Sequence, residues 1–163
     1  MPAYEAHTHE FSPVFDKTSR ILILGTFPSV KSREQRFYYG HPQNRFWKVI
    51  AALTDSPLPA TIEEKKAMLL RNHIAIWDVI KSCEIIGSSD TSIKNVIPAD
   101  IPNVLQHSAI ETIYGNGKKA CQLYDKYLLS QTGMPIHPLP STSPANAAFS
   151  LEKLVQSWSC ILL

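Results

Sequence analysis

Four branched apolar residues in a row, Ile21-Leu22-Ile23-Leu24, closed by Gly25, constrain this chain more than any other stretch. A run that short and continuous suits a strand covered on both faces. Ile74-Ala75-Ile76-Trp77 repeats the pattern. Residues 110–114 alternate more loosely ahead of Gly115-Asn116-Gly117, and residues 136–139 give a fourth short strand. Helical periodicities lie between them. Phe46, Val49, Ile50 and Leu53 recur at i, i+3, i+4 and i+7, with Pro42 suited to the first turn. Thr61 and Glu64 form a capping-box pair ahead of a helix reaching about Arg71. A short helix fits 99–106, and Ala120, Leu123, Tyr124, Tyr127 and Leu128 mark a longer one. Ser150 can cap a last helix whose apolar face is Leu151, Leu154, Val155, Trp158 and Ile161.

Strands alternating with helices predict an α/β fold, three-layer αβα, around a short, mostly parallel four-stranded sheet. With no repeat or linker, residues 1–163 read as one domain whose first 20 residues form an irregular N-terminal segment. Polar loops are expected after the first strand, around Pro28, Ser29, Ser32 and Gly40, and over 83–95. In such a sheet ligands bind where loops leave the carboxyl ends of the strands. Here those loops are 25–42, 78–95, 115–117 and 140–147.

Composition removes several classes. Hydrophobic residues at 44% and charged residues at 18% exclude a disordered or fibrous chain. No apolar run approaches the roughly 20 residues of a membrane span. The first 20 residues hold no apolar block of a secretory signal, so a soluble, cytoplasmic protein is expected. Cys83, Cys121 and Cys160 are scattered, which suits neither a disulfide framework nor a metal cluster; reduced, mostly packed thiols are expected. His7-Thr8-His9 could touch a metal but reads as incidental, and no metal or cofactor is expected.

Charge is concentrated. Lys31, Arg33, Arg36, Arg45 and Lys48 face a single acid, Glu34, so residues 31–48 carry +4 in a chain of net charge +2. Phe37, Tyr38, Tyr39, Phe46 and Trp47 share the window. Interleaved cations and rings suit a nucleic acid, whose phosphates and unpaired bases they neutralise and stack upon. A solvated loop followed by an ordinary amphipathic helix has the same composition. Gly25-Thr26-Phe27-Pro28-Ser29 is no dinucleotide fingerprint, Gly115-Asn116-Gly117-Lys118-Lys119 is no P-loop, and no nucleophile elbow occurs.

The stretch Phe37-Tyr38-Tyr39-Gly40-His41-Pro42-Gln43-Asn44-Arg45-Phe46-Trp47-Lys48 resembles the uracil-DNA glycosylase superfamily, and its HP-x-NRFWKV run looks like that of the mismatch-specific uracil glycosylases. Gly25-Thr26-Phe27-Pro28-Ser29 sits where the superfamily has its first motif, and Pro140-Ser141-Thr142-Ser143-Pro144-Ala145-Asn146 where it has its second. Mismatch-specific enzymes carry a water-activating Asn in the first motif; here that position is Phe27. The combination instead looks like the deoxyinosine (hypoxanthine) DNA glycosylase branch, in which the resemblance implies that Asn44 takes the catalytic duty.

The resemblance further implies a uracil-DNA glycosylase-like fold and a flipped base stacked on Tyr39. Thr26 and Phe27 would complete the base pocket, and Asn116 is a candidate for hydrogen bonding to the base edge. Tyr39 and Phe27 could equally be core aromatics, Asn116 an ordinary turn residue and Asn44 a helix-terminus residue. An Asn carboxamide offers an acceptor for water and donors for a departing base. Candidates for DNA contact are Ser29, Lys31, Arg33, His41, Ser141 and Ser143, with Pro144, Ala145 and Asn146 entering the gap left by the flipped base. The expectation is a monomeric, monofunctional glycosylase of base excision repair acting on deaminated bases in duplex or single-stranded DNA. A mismatch-specific uracil glycosylase and a non-catalytic damage binder remain as alternatives.

Overall fold

The structure is a computed structural model that describes residues 3–162, so residues 1, 2 and 163 of the expected unit lie outside it. Its elements in chain order are β1 (Glu5–Thr8), β2 (Ile21–Gly25), α1 (Val30–Gln35), α2 (Phe46–Leu53), α3 (Ile62–Arg71), β3 (Ile74–Asp78) and β4 (Ile80–Ile85). There follow β5 (Lys94–Pro98), α4 (Ile101–Gln106), β6 (Thr112–Asn116), α5 (Lys118–Tyr127), α6 (Leu129–Thr132), β7 (Ile136–Leu139) and α7 (Leu151–Trp158).

The four expected strands form one parallel sheet in the order β3-β2-β6-β7. Side chains alternate across a strand, so β2 is divided between two cores. Ile21 and Ile23 pack with Phe46, Ile50, Met68, Leu154 and Trp158 from α2, α3 and α7. Leu22 and Leu24 pack with Ile101, Leu123 and Tyr124 from α4 and α5 and with Ile80, Cys83 and Ile85 from β4. Helices on both faces give the expected αβα layers. Because the strands are parallel, Gly25, Asp78, Asn116 and Leu139 end at one edge, in register as Gly25 with Asp78 and Asn116 with Leu139.

Several boundaries differ from the sequence reading. The N-terminal segment is not irregular throughout: β1 pairs antiparallel with β4, and Val14 bridges Ile76. The expected loop over 83–95 carries parts of β4 and β5, which with β1 form a second, antiparallel sheet in the order β1-β4-β5. In β4 the buried residues Ile80, Cys83 and Ile85 are separated by polar ones, the signature of a half-wet strand, and the Ser and Asp content of the stretch masks it. The loop after β2 contains α1, capped by Ser29, whose side chain accepts from Ser32 N. Pro42 lies in a turn and not in a helix; α2 begins at Phe46. The third strand runs two residues later than expected and includes Gly115, where a Cβ would collide with Cys121 Sγ of α5. Cys83 is buried and Cys121 half-buried, as expected of mostly packed thiols, while Cys160 is exposed. No helix among the described residues is long and apolar enough to cross a membrane.

Trp158 joins the core to the sheet's carboxyl edge. Its ring is fully buried, meets Phe46 edge to face, and donates Nε1–H to Pro140 O at 2.9 Å. Trp158→Phe keeps an aromatic but leaves that carbonyl unpaired and a gap behind it. Urea unfolding should show a loss of about 1–3 kcal/mol.

Candidate active site

The loops leaving the carboxyl edge enclose a cavity of about 320 Å³. All three resemblance motifs contribute to it: Thr26, Phe27 and Ser29 from the first, Tyr39, His41 and Asn44 from the second stretch, and Ser141, Ser143, Pro144 and Ala145 from the third. Asn116 enters from the end of β6.

A directed hydrogen-bond chain links Asn44 to Asn116 through Thr142, a fully buried residue that the sequence reading passed over. Asn116 Oδ1 accepts from Thr142 N at 3.0 Å, which leaves Asn116 Nδ2 to donate to Thr142 Oγ1 at 3.0 Å. Thr142 Oγ1 in turn donates to Asn44 Oδ1 at 2.9 Å, and Phe46 N donates to the same oxygen at 2.9 Å. Both backbone donors fix which end of each amide is oxygen. Asn44 Oδ1 therefore has both lone-pair directions occupied, and the free capacity of its carboxamide is the pair of N–H donors on Nδ2.

Tyr39 has a positive φ of 53°, and its ring stacks on Phe46 with centroids 4.0 Å apart and planes at 14°. Phe46 is thus the wall behind a flat aromatic surface. The Tyr39 hydroxyl is buried without a hydrogen-bond partner. Burial, followed by the nearby Asp78 charge, pushes its ionisation far above the ordinary phenol range, while the neighbouring Asn116 side chain acts in the opposite sense. Phe27 is 9% exposed and meets the His9 ring edge-on at 6.1 Å.

His9 is not incidental. Its Nε2 lies 2.8 Å from Asp78 Oδ2, with the two side chains 3% and 5% exposed, and Asp78 lines the cavity. The ring is enclosed by Phe11, Phe27 and Tyr38. Nothing in the sequence pairs positions 9 and 78; the contact exists because β1 lays the N-terminal segment along β4, just past β3. No group of three or more metal-ligating side chains occurs among the described residues.

The cationic window divides on inspection. Arg45 does not face outward: its guanidinium donates to the carbonyls of Phe149, Ser143 (2.9 Å) and Asn146 (3.1 Å). Its backbone N–H also donates to Thr142 O at 3.1 Å. Arg33 donates to Pro28 O and Gly87 O, bracing the first loop against the β4–β5 connection. Arg36 pairs with Glu10, and Lys31 stands exposed 3.5 Å from Glu34. Lys31 and Arg33 do not line the cavity. Neither does Asn146, whose N–H and Nδ2 are spent on Ser143 O and Ser141 O within its own loop.

Comparison with known proteins bears on the family and the fold of this chain. A family model for the Uracil DNA glycosylase superfamily matches residues 12–159. A protein of Methanosarcina acetivorans named hypoxanthine DNA glycosylase is 36% identical over 145 residues, covering 88% of this chain and 90% of its own. A protein of the same name from Methanosarcina barkeri is 32% identical over 157 residues, covering 91% and 94%. The solution NMR structure of a Methanosarcina acetivorans protein, described as a candidate uracil DNA glycosylase, superposes with a TM-score of 0.79 at 32% identity. That alignment covers 93% of this chain and 94% of the other.

The divided window predicts separable effects. Lys31→Ala should lower the salt dependence of DNA binding by about one phosphate contact and leave stability unchanged. Arg45→Met should cost about 2–4 kcal/mol of stability by stranding the carbonyls it serves, measured by thermal and urea unfolding.

Proposed function

The chain belongs to the uracil DNA glycosylase superfamily, and from that premise we propose that it releases hypoxanthine from deoxyinosine in DNA. The reaction class comes with the family: hydrolysis of an N-glycosidic bond in DNA. The observation that supports the finer reading is the position of Asn44. It is an anchored carboxamide in a cavity whose first-motif loop offers Phe27 in place of an amide.

As the glycosidic bond breaks, the sugar gains oxocarbenium character and the base gains negative charge; water then adds to the anomeric carbon, and a proton ends on the base. In this reading the Nδ2 donors of Asn44 stabilise the charge on the departing base. They are already aligned, because Phe46 N and Thr142 Oγ1 hold the oxygen end. The Tyr39 ring, backed by Phe46, receives the flipped base. Flipping costs roughly a few kcal/mol, and stacking worth about 1–3 kcal/mol offsets it. Ser29, His41, Ser141 and Ser143 line the cavity, and in this reading their hydroxyl and imidazole groups meet the phosphates on either side of the extruded nucleotide.

Matched oligonucleotides containing deoxyinosine, deoxyuridine or neither test the reading directly. With a chelator present, deoxyinosine sites should become alkali-labile abasic sites; uracil release without hypoxanthine release would overturn it. Asn44→Ala should retain fold and DNA binding while single-turnover release falls by roughly two to three powers of ten. Thr142→Val, which removes only the hydroxyl linking Asn44 to Asn116, should slow release about ten- to a hundredfold, with Thr142→Ser restoring most of it.

A further inference from the structure

Water that adds to the anomeric carbon must give up a proton, and few groups around the cavity can take it. Asn44 Oδ1 has both lone-pair directions filled by Phe46 N and Thr142 Oγ1, and its Nδ2 only donates. His41 Nδ1 accepts from Gln43 N at 3.1 Å, so the neutral ring presents an N–H at Nε2. Asp78 belongs to the floor, with His9 on one oxygen at 2.8 Å and Gly25 against the other. Among the described residues lining the cavity, the remaining acid is Asp90, in the connection between β4 and β5. It is exposed, and its carboxylate has neither a hydrogen bond nor an ion pair among the described residues. The backbone that carries it is nonetheless fastened. Ser88 Oγ accepts from Val30 N at 2.9 Å, and Arg33 donates to Gly87 O at 3.1 Å. Ser92 Oγ accepts from Ile86 N at 2.9 Å and donates to Ser89 O at 2.7 Å. A free carboxylate stands on a rigid loop.

Resting on the reading that this cavity hydrolyses a glycosidic bond, we infer that Asp90 is the catalytic carboxylate that holds the attacking water and accepts its proton. Two placements support the assignment. A flipped nucleotide enters base first, so the base lies toward the floor at Gly25 and Asp78, and the sugar toward the rim, where Asp90 meets solvent. Asn44 and Asp90 also reach the cavity from opposite sides. α2, which follows Asn44, packs in the core on one face of the parallel sheet, and β4, which leads to Asp90, packs in the core on the other. A carboxylate base that activates water works on the face of the sugar opposite the leaving group, and this division supplies it. As the C1′–N bond breaks, its electron pair leaves with the base, which takes a proton from solvent. The water oxygen bonds to C1′, one of its protons passes to Asp90, and Asp90 later returns that proton to solvent. Partial desolvation by the cavity walls raises the Asp90 carboxyl above its ordinary range; Lys119 opposes this and Asp78 adds to it. A raised carboxyl is the better proton acceptor.

Single-turnover release from oligonucleotides containing deoxyinosine or deoxyuridine tests the role, because the attacking water is common to both. Asp90→Asn keeps the shape and removes the proton acceptor. On each base that the wild-type protein releases it should be slower by roughly a hundredfold, with DNA affinity and urea unfolding unchanged. Asp90→Ala should be similarly slow and should regain about fivefold or more in rate with sodium formate, whose carboxylate fits the space left by the side chain. Sodium chloride at the same concentration should restore nothing, and Asn44→Ala should gain nothing from formate. Wild-type rates in Asp90→Asn overturn the inference. So does a loss that tracks DNA affinity or unfolding, or one that formate leaves in place, since Asp90 would then be structural. If the wild-type protein releases uracil and not hypoxanthine, the hypoxanthine reading falls while the uracil substrate decides the role of Asp90. Release of neither base overturns both.

Discussion

The guanidinium of Arg45 joins two stretches of chain that lie 98 to 104 residues apart in sequence. An irregular loop presents carbonyls that no ladder satisfies, and a planar cation with several fixed donors is suited to gather them. Arg45 does so from the residue preceding α2, while its own N–H holds Thr142 O. Asn44 is its neighbour on one side and Phe46 on the other, so the clamp also sets the amide and the stacking wall. The hydrogen-bond chain through Thr142 can form only while the two segments remain at that separation. A cation that composition counts toward a ligand is spent on holding the ligand's pocket together.

The parallel sheet was legible because β2 and β3 are largely buried on both faces and read as unbroken apolar runs, as in Ile21 to Leu24. The antiparallel sheet was not, because β4 interleaves Ile80, Cys83 and Ile85 with polar residues and sits in a stretch of turn-like composition. At the site, Asn44, Tyr39, Phe27 and Thr26 were legible from the short motifs and Asn116 from the Gly-Asn-Gly turn after the third expected strand, and they do converge on one cavity. Thr142 lay within a quoted motif but gave no sign that its hydroxyl is buried. His9 and Asp78 carry no spacing at all. A polar contact between distant segments has no period, and only the packing of β1 on β4 brings it about.

Arithmetic on charge was the least informative guide. Of the cations between 31 and 48, Arg45 and Arg33 serve backbone carbonyls, and Lys31 and Arg36 have acidic neighbours. Net charge describes the field far from the surface. It does not say which cations have already been engaged by the fold.

The positive φ of Tyr39 is a strain that the packing of its own ring offsets. A non-glycine residue in the left-handed region costs on the order of 1 kcal/mol, and glycine at the same position would relax it. The ring resists that exchange: stacked on Phe46 and packed against the core, it contributes more than the roughly 1 kcal/mol that glycine would recover. Thermostabilising libraries built on this scaffold will therefore keep an aromatic ring at position 39, and the stacking surface on Phe46 persists under selection for stability alone.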